Sequence, residues 1–349
     1  MKIIVILTTV LSFAVTGTAK LLAPTTGAYQ GAFMDFGPAA SEVSETKIDS
    51  YQDLSGRKAV WAYFANDWID GKIEFPKNSA QIIRDKGLIP YVRLMPWSVM
   101  VGSAKKADAI FPMQSFLNGS HDQQLRNYFQ AAKIFGSPIM MEFGPEVNGD
   151  WFPWNGTWNG GSKRNGYGDP NHPDGPERFK DVLKRVINIS RTEGANNITW
   201  VFHVDSAKSP ESEWNNPKYY FPGDDYIDWI GISVFGAQLP NHDWSVFQKK
   251  LKRFLPDLVA LNTNRPWIVS EMAVIEDAAD SDRKADWLQQ ALLTVESGVF
   301  PALKGISYWH SPGWLKDGSA NFKIDSSYLA LETFRLELSK PFWLSEAQF

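Results

Sequence analysis

Two glutamates stand where apolar sequence gives no structural reason for an acid. Glu271 is the lone acidic residue in the run Trp267-Ile268-Val269-Ser270-Glu271-Met272-Ala273. Glu146 follows directly on a second apolar run, in Phe143-Gly144-Pro145-Glu146-Val147-Asn148-Gly149-Asp150-Trp151-Phe152-Pro153-Trp154. A carboxylate in such a place is partly stripped of water and needs a partner. Taken singly, each is more often half of a structural ion pair than a reactive group. Taken together they can share a reaction, one attacking as a nucleophile and the other giving and retrieving a proton. Cleavage of a glycosidic bond with retention of configuration uses such a pair, held roughly 5–5.5 Å apart.

Whether the two can meet depends on the elements that carry them. Short, near-continuous apolar runs occupy 27–36, 58–65, 87–95, 138–143, 198–204, 227–235, 266–274 and 305–310. Most are rich in β-branched and aromatic residues, as strands buried on both faces are. Amphipathic stretches lie between them, among them 122–135, 176–193, 244–261 and 281–297. The second of these has Pro176 and Glu177 in its first turn and Gly194 beyond its end, which are start and stop signals. Strand and helix alternating eight times predict an α/β fold, a closed (β/α)8 TIM barrel forming one domain over 20–349. Such barrels carry their chemistry at the C-terminal ends of the strands. Glu146 ends the fourth run and Glu271 stands near the end of the seventh, and these two strands face each other across a barrel mouth.

The rest of the composition narrows the class. A hydrophobic fraction of 44% in 349 residues suffices for a large core, and a charged fraction of 21% is too low for a disordered chain. The net charge of −4 gives no electrostatic footprint for nucleic acid. Lys2, the apolar run 3–15 and the small residues Thr16-Gly17-Thr18-Ala19 read as a secretory signal peptide over 1–19. They predict a secreted protein, extracellular or periplasmic. No run is long enough to span a membrane. With no cysteine, the core alone must hold an exported chain, and we expect a monomer. Fifteen tryptophans are far above ordinary usage, and several (Trp151, Trp154, Trp158, Trp214, Trp314) sit beside Gly, Asn or Pro in loop-like sequence. Flat rings on loops suit the C–H faces of sugars, although core packing of Trp151 or Trp154 is nearly as good a reading. Asp169, His172 and Asp174, in the Gly/Pro-rich insert 155–175, match no metal template, and the insert reads as a solvated loop. Neither a metal nor another cofactor is expected.

Several motifs, in order along the chain, resemble those of glycoside hydrolase family 26, the family of many β-mannanases. They are Gly119-Ser120-His121-Asp122, Gly136 with Pro138, Glu146-Val147-Asn148-Gly149-Asp150-Trp151, Asn197-Ile198-Thr199-Trp200-Val201-Phe202, the stretch from Tyr220 to Ile232, Arg265 to Glu271, and Phe322-Lys323-Ile324-Asp325-Ser326-Ser327. The resemblance implies a retaining mechanism of clan A, with Glu146 as acid/base and Glu271 as nucleophile. It also implies that Trp309, which ends the eighth run, forms the aromatic floor of the cleavage subsite. Three positions depart from the family pattern. Pro145 stands in place of the usual His before the acid/base, and Glu142 stands where Arg is common. Phe235 replaces the Tyr that ends the sixth strand and holds the nucleophile, and loss of that donor should raise the nucleophile's pKa unless another group replaces it. Arg93, ending the third run, can compensate by pairing with Glu142 or Glu271, or can serve as a barrel-rim ion pair. Asn148 and His203 end strands and could bind sugar hydroxyls, although a lone histidine is more often a satisfied structural group. Asp205 either faces the cleft or caps the next turn.

The expected partner is therefore a polysaccharide or oligosaccharide, with β-1,4-mannan first. The alternatives are the same chemistry on mixed-linkage β-glucan, β-1,3-xylan or a microbial exopolysaccharide, or a catalytically degenerate barrel that only binds glycans.

Overall fold

A computed structural model describes residues 19–313 and 320–349. The leader expected over 1–19 falls outside these residues except for Ala19, and Trp314 falls outside them too. All eight apolar runs form strands, and they pair in sequence order. The strands are β1 (Ala28–Met34), β2 (Trp61–Asp67), β3 (Ile89–Met95), β4 (Ile139–Phe143), β5 (Ile198–Asp205), β6 (Trp229–Ser233), β7 (Trp267–Met272) and β8 (Leu303–His310). Every neighbour is parallel, and pairing of β1 with both β8 and β2 closes the barrel. A two-residue strand, β9 (Trp343–Leu344), lies along the start of β1. Nothing in its short sequence announces it.

Helices cover the outside, as parallel strands buried on both faces require. They are α1 (Glu45–Ser55), α2 (Lys77–Asp85), the single-turn α3 (Met113–Leu117), α4 (Asp122–Phe135), α5 (Asp174–Thr192), α6 (Phe247–Val259), α7 (Arg283–Glu296) and α8 (Tyr328–Leu338). The four helical stretches expected from sequence are α4 to α7. α1 and α8 are held by local signals instead. Ser44 and Ser327 cap them by accepting from the N–H groups of Lys47 and Ala330. Among the described residues no helix is long and apolar enough to cross a membrane.

The barrel is filled in layers. At the bottom the Trp61 indole lies across the lumen and donates to Ser307 Oγ at 2.6 Å. It fits because Gly31 and Gly305 have no side chains: a Cβ on Gly31 would stand 2.2 Å from Trp61 Nε1, and one on Gly305 2.9 Å from its ring. The middle layer is polar, built from Tyr63, Tyr91, Glu142, His203, Ser233 and Ser270, all buried. The candidate site is the layer above it.

Candidate active site

Successive residues of a regular strand point to opposite faces. Ser270 and Glu271 nevertheless both reach the lumen, where Ser270 Oγ meets Tyr91 OH at 2.8 Å and Glu271 Oε1 lies 3.0 Å from the Tyr63 hydroxyl oxygen. A bulge in β7 resolves the conflict. Ile232 pairs with Val269 but Ser233 pairs with Glu271, leaving Ser270 as the extra residue. The bulge turns the carboxyl of Glu271 toward the mouth while Ser270 still serves the layer beneath.

Around Glu271 lies a tight network. Arg93 Nη2 is 3.0 Å from its Oε1, and Arg93 Nε is 3.7 Å from Glu142 Oε1. Glu142 also accepts from both Tyr63 and, at 2.7 Å, Tyr91. His203 Nδ1 lies 3.1 Å from Glu142 Oε2, an ion pair whose ring N–H is off the line of an aligned hydrogen bond. His203 Nε2 contacts Ser233 Oγ at 2.9 Å. The electrostatics follow from these contacts. Burial pushes Glu142 up, but His203, Arg93 and Tyr63 outweigh it and hold the carboxyl below its usual range. Burial lowers His203, and Glu142 more than restores it, so the imidazole is held above its ordinary value. For Glu271 burial wins: the carboxyl is pushed up to about 7, with Arg93 pulling it back and Glu146 adding to the rise. Ligand atoms of Glu142, His203 and Glu271 lie within 4.8 Å of one another, a spacing a metal could use. The Arg93 guanidinium already stands there as the cation, so the donor set does not fit a metal as well.

Glu146 is positioned by backbone rather than by strand. Beyond β4, Gly144 and Glu146 have φ of 58° and 50°, the left-handed region that glycine enters freely and glutamate does not. Such strain, on the order of 1–2 kcal/mol, persists only where the surroundings dictate it. Here they do. Trp151 Nε1 donates to Glu146 Oε2 at 2.8 Å, Asn155 Nδ2 donates to the Val147 carbonyl at 2.7 Å, and Trp154 Nε1 donates to the Pro145 carbonyl at 2.9 Å.

Glu146 and Glu271 line one cleft of about 670 Å³ at the C-terminal mouth. Arg93, Trp151 and Trp309 line it too, joined by Trp97, Asp205 and Phe235. Trp309 stacks on Phe33 with centroids 4.2 Å apart, and its Nε1 is buried without a protein partner. Three expected sugar contacts are not made by this cleft. Trp154 is fully buried, stacked on Phe152 at 4.3 Å. Asn148 is fully buried, with both ends of its amide spent on the Asp205 backbone. His203 is spent on Glu142 and Ser233, one layer down. The insert 155–175 is also less solvated than its composition suggests. Asn155 and Asp174 are buried, and its exposed part is confined to the middle. Sequence reasoning missed Tyr63 and Tyr91. Both stand at lumen-facing alternate positions of their strands, Tyr63 two residues beyond Trp61 and Tyr91 two before Arg93, and that alternation was available to find them.

Residues 117–288, which include the Glu146 loop and β7, match the model of glycosyl hydrolase family 26. Over those residues the chain carries the pattern of this family. Endoglucanase H of Acetivibrio thermocellus is 24% identical over 300 residues, covering 84% of this chain and 29% of that protein. A β-1,3-xylanase of a Vibrio species is 27% identical over 135 residues, covering 38% of this chain and 24% of that protein. The chain thus spans less than a third of the length of the curated relatives it matches. A family 26 β-mannanase structure from Bacteroides ovatus superposes with a TM-score of 0.62 at 15% identity, covering 92% of this chain and 90% of that one. At that identity the likeness shows the fold. The Tyr63 hydroxyl, which donates to Glu142, lies 3.0 Å from Glu271 Oε1.

Proposed function

We propose that this chain is a family 26 member, a retaining β-glycanase that cleaves a β-linked polysaccharide within its backbone. The observation that carries the reading is the pair of buried glutamates on one cleft with indole walls. Glu271 attacks the anomeric carbon as Glu146 protonates the departing oxygen, and Glu146 then activates the water that releases Glu271. Trp309 and Trp151 offer flat faces for the sugars on either side of the bond. For the substrate we propose β-1,4-mannan, a choice supported by the mannanases among the structural neighbours. β-1,3-Xylan and β-glucan come second, supported by the names of the sequence relatives. We further propose that the chain is exported through a leader over 1–19, which N-terminal sequencing of the secreted protein checks.

A reducing-sugar assay on mannan, mixed-linkage β-glucan, β-1,3-xylan and a microbial exopolysaccharide tests the activity. Glu271→Gln should abolish turnover on every substrate. Glu146→Ala should lose polysaccharide cleavage yet keep the first step on an aryl glycoside with an activated leaving group, and azide should restore the second. If the wild type cleaves none of these, and binds oligosaccharides equally well with both glutamates replaced, the barrel is a binding module.

A further inference from the structure

Asp205 has no duty in the mechanism above, yet it is buried and lines the same cleft as the two glutamates. Its backbone is bolted to the Glu146 loop. Asn148, two residues beyond Glu146, donates through Nδ2 to the Asp205 carbonyl at 2.8 Å and accepts from the Asp205 N–H at 2.7 Å. The Asn148 carbonyl is pinned in turn by Asn215 Nδ2 at 2.8 Å and by the Ser209 N–H at 2.9 Å. This clamp ties the Asp205 backbone to the Glu146 loop and sets both carboxyl groups on the wall of one cleft, where each feels the other. An ionised carboxylate only accepts, so a hydrogen bond between two carboxyls requires a proton on one of them.

The charges around the site say where that proton sits. Glu146, Asp205 and Glu271 line one cleft, and Glu142 is buried in the layer directly beneath it. The cations in contact there are Arg93 and His203, and they serve Glu142 and Glu271. Among the described residues none of the ion pairs involves Asp205. It accepts from the Ala207 N–H, and Lys250 of α6 senses its charge without pairing with it. Carboxyls this close cannot all ionise. Burial first, and the neighbouring Glu146 second, hold Asp205 well above the usual carboxylate range.

We propose that Asp205 is a positioning residue for the acid/base: it keeps its own proton and donates it in a hydrogen bond to Glu146. The proposal rests on the reading of Glu146 as acid/base. In the first step the Glu146 proton moves to the glycosidic oxygen, the bond from that oxygen to the anomeric carbon breaks, and Glu271 bonds to the carbon. Charge appears on Glu146, and the hydrogen bond from Asp205 strengthens as it does, so the contact favours the transition state over the ground state. In the second step a water proton returns to Glu146, the hydroxyl bonds to the anomeric carbon, and Glu271 leaves with its electron pair. Asp205 ends the cycle with the proton it began with.

Two variants and one spectrum test this. Asp205→Ala should lower kcat on polysaccharide by about 10–100-fold with little change in KM, the worth of one hydrogen bond to a charged group. It should spare the first step on an activated aryl glycoside. Asp205→Asn, whose amide still donates, should recover most of the lost turnover. The infrared difference between wild type and Asp205→Asn at neutral pH should show the carbonyl stretch of a protonated carboxyl, with or without turnover. Absence of that band overturns the proposal whatever the enzyme cleaves. A wild type that shows the band but cleaves no β-glycan overturns the proposed function and the acid/base role, while the hydrogen bond itself stands.

Discussion

Arg93 Nη2 lies 3.0 Å from Glu271 Oε1, and its guanidinium carbon stands 5.2 and 5.1 Å from the ring centroids of Tyr63 and Trp309. Two aromatic faces thus shield the cation from water on the sides where it does not touch a carboxylate. A charge held dry acts at short range with little screening. That makes Arg93 the main influence holding Glu271 down against burial.

Replacing Arg93 by Met should therefore do two things. It leaves Glu142 and Glu271 with an uncompensated buried charge, a loss of about 3–5 kcal/mol in unfolding free energy. It should also move the acid limb of the pH–rate profile to higher pH, since Glu271 must be ionised to act as the proposed nucleophile. Denaturant unfolding and a pH series on one soluble substrate read both. An unmoved acid limb would show that Arg93 does not govern Glu271.

The raised carboxyl of Glu271 links stability to pH with a definite sign. From its ordinary 4.5 to about 7 the folded chain holds a proton that the unfolded chain has lost. Stability from this group is therefore full below 4.5 and is lost as pH rises through 7, by roughly 3 kcal/mol. Glu271→Gln removes the titration, so its melting temperature should gain on the wild type between pH 4.5 and 7. A constant difference across that window would count against the shift.

Trp151→Phe keeps an aromatic face in the cleft but removes the N–H that holds Glu146 Oε2. We expect kcat on polysaccharide to fall about 10-fold or more, with KM changed far less. A rise in KM with kcat unchanged would assign Trp151 to sugar stacking alone.

Gly31→Ala drives a methyl into the Trp61 ring, which is boxed in and cannot yield as a flexible side chain would. A loss of about 1–3 kcal/mol is expected. Gly102→Ala, with nothing within 4 Å of its Cβ, is the matched control and should be near neutral in thermal denaturation.

Much of this was legible in the chain itself. The eight strands were marked by apolar runs because a parallel strand shielded on both faces has no polar side to blur the signal. β2 was legible only in part: its apolar run ends at Ala65, yet the strand continues through Asn66 and Asp67 into the polar mouth. Glu146 and Glu271 stood out as acids in apolar surroundings. Trp154, Asn148 and His203 misled for one shared reason. A side chain near a strand end can point into the cleft or beneath it, and the choice is made by contacts such as Asn148 to the Asp205 backbone, which join residues far apart in the sequence.

The left-handed backbone at Glu146 has a consequence for how this chain can change over generations. At φ 50° a glycine would sit without strain, and at Glu271 a neutral amide would sit without a buried charge to compensate. Foldedness alone would thus favour losing both acids. Each is held against the local preference of the scaffold, and drift unopposed by selection on turnover would erase first the two residues proposed to carry it.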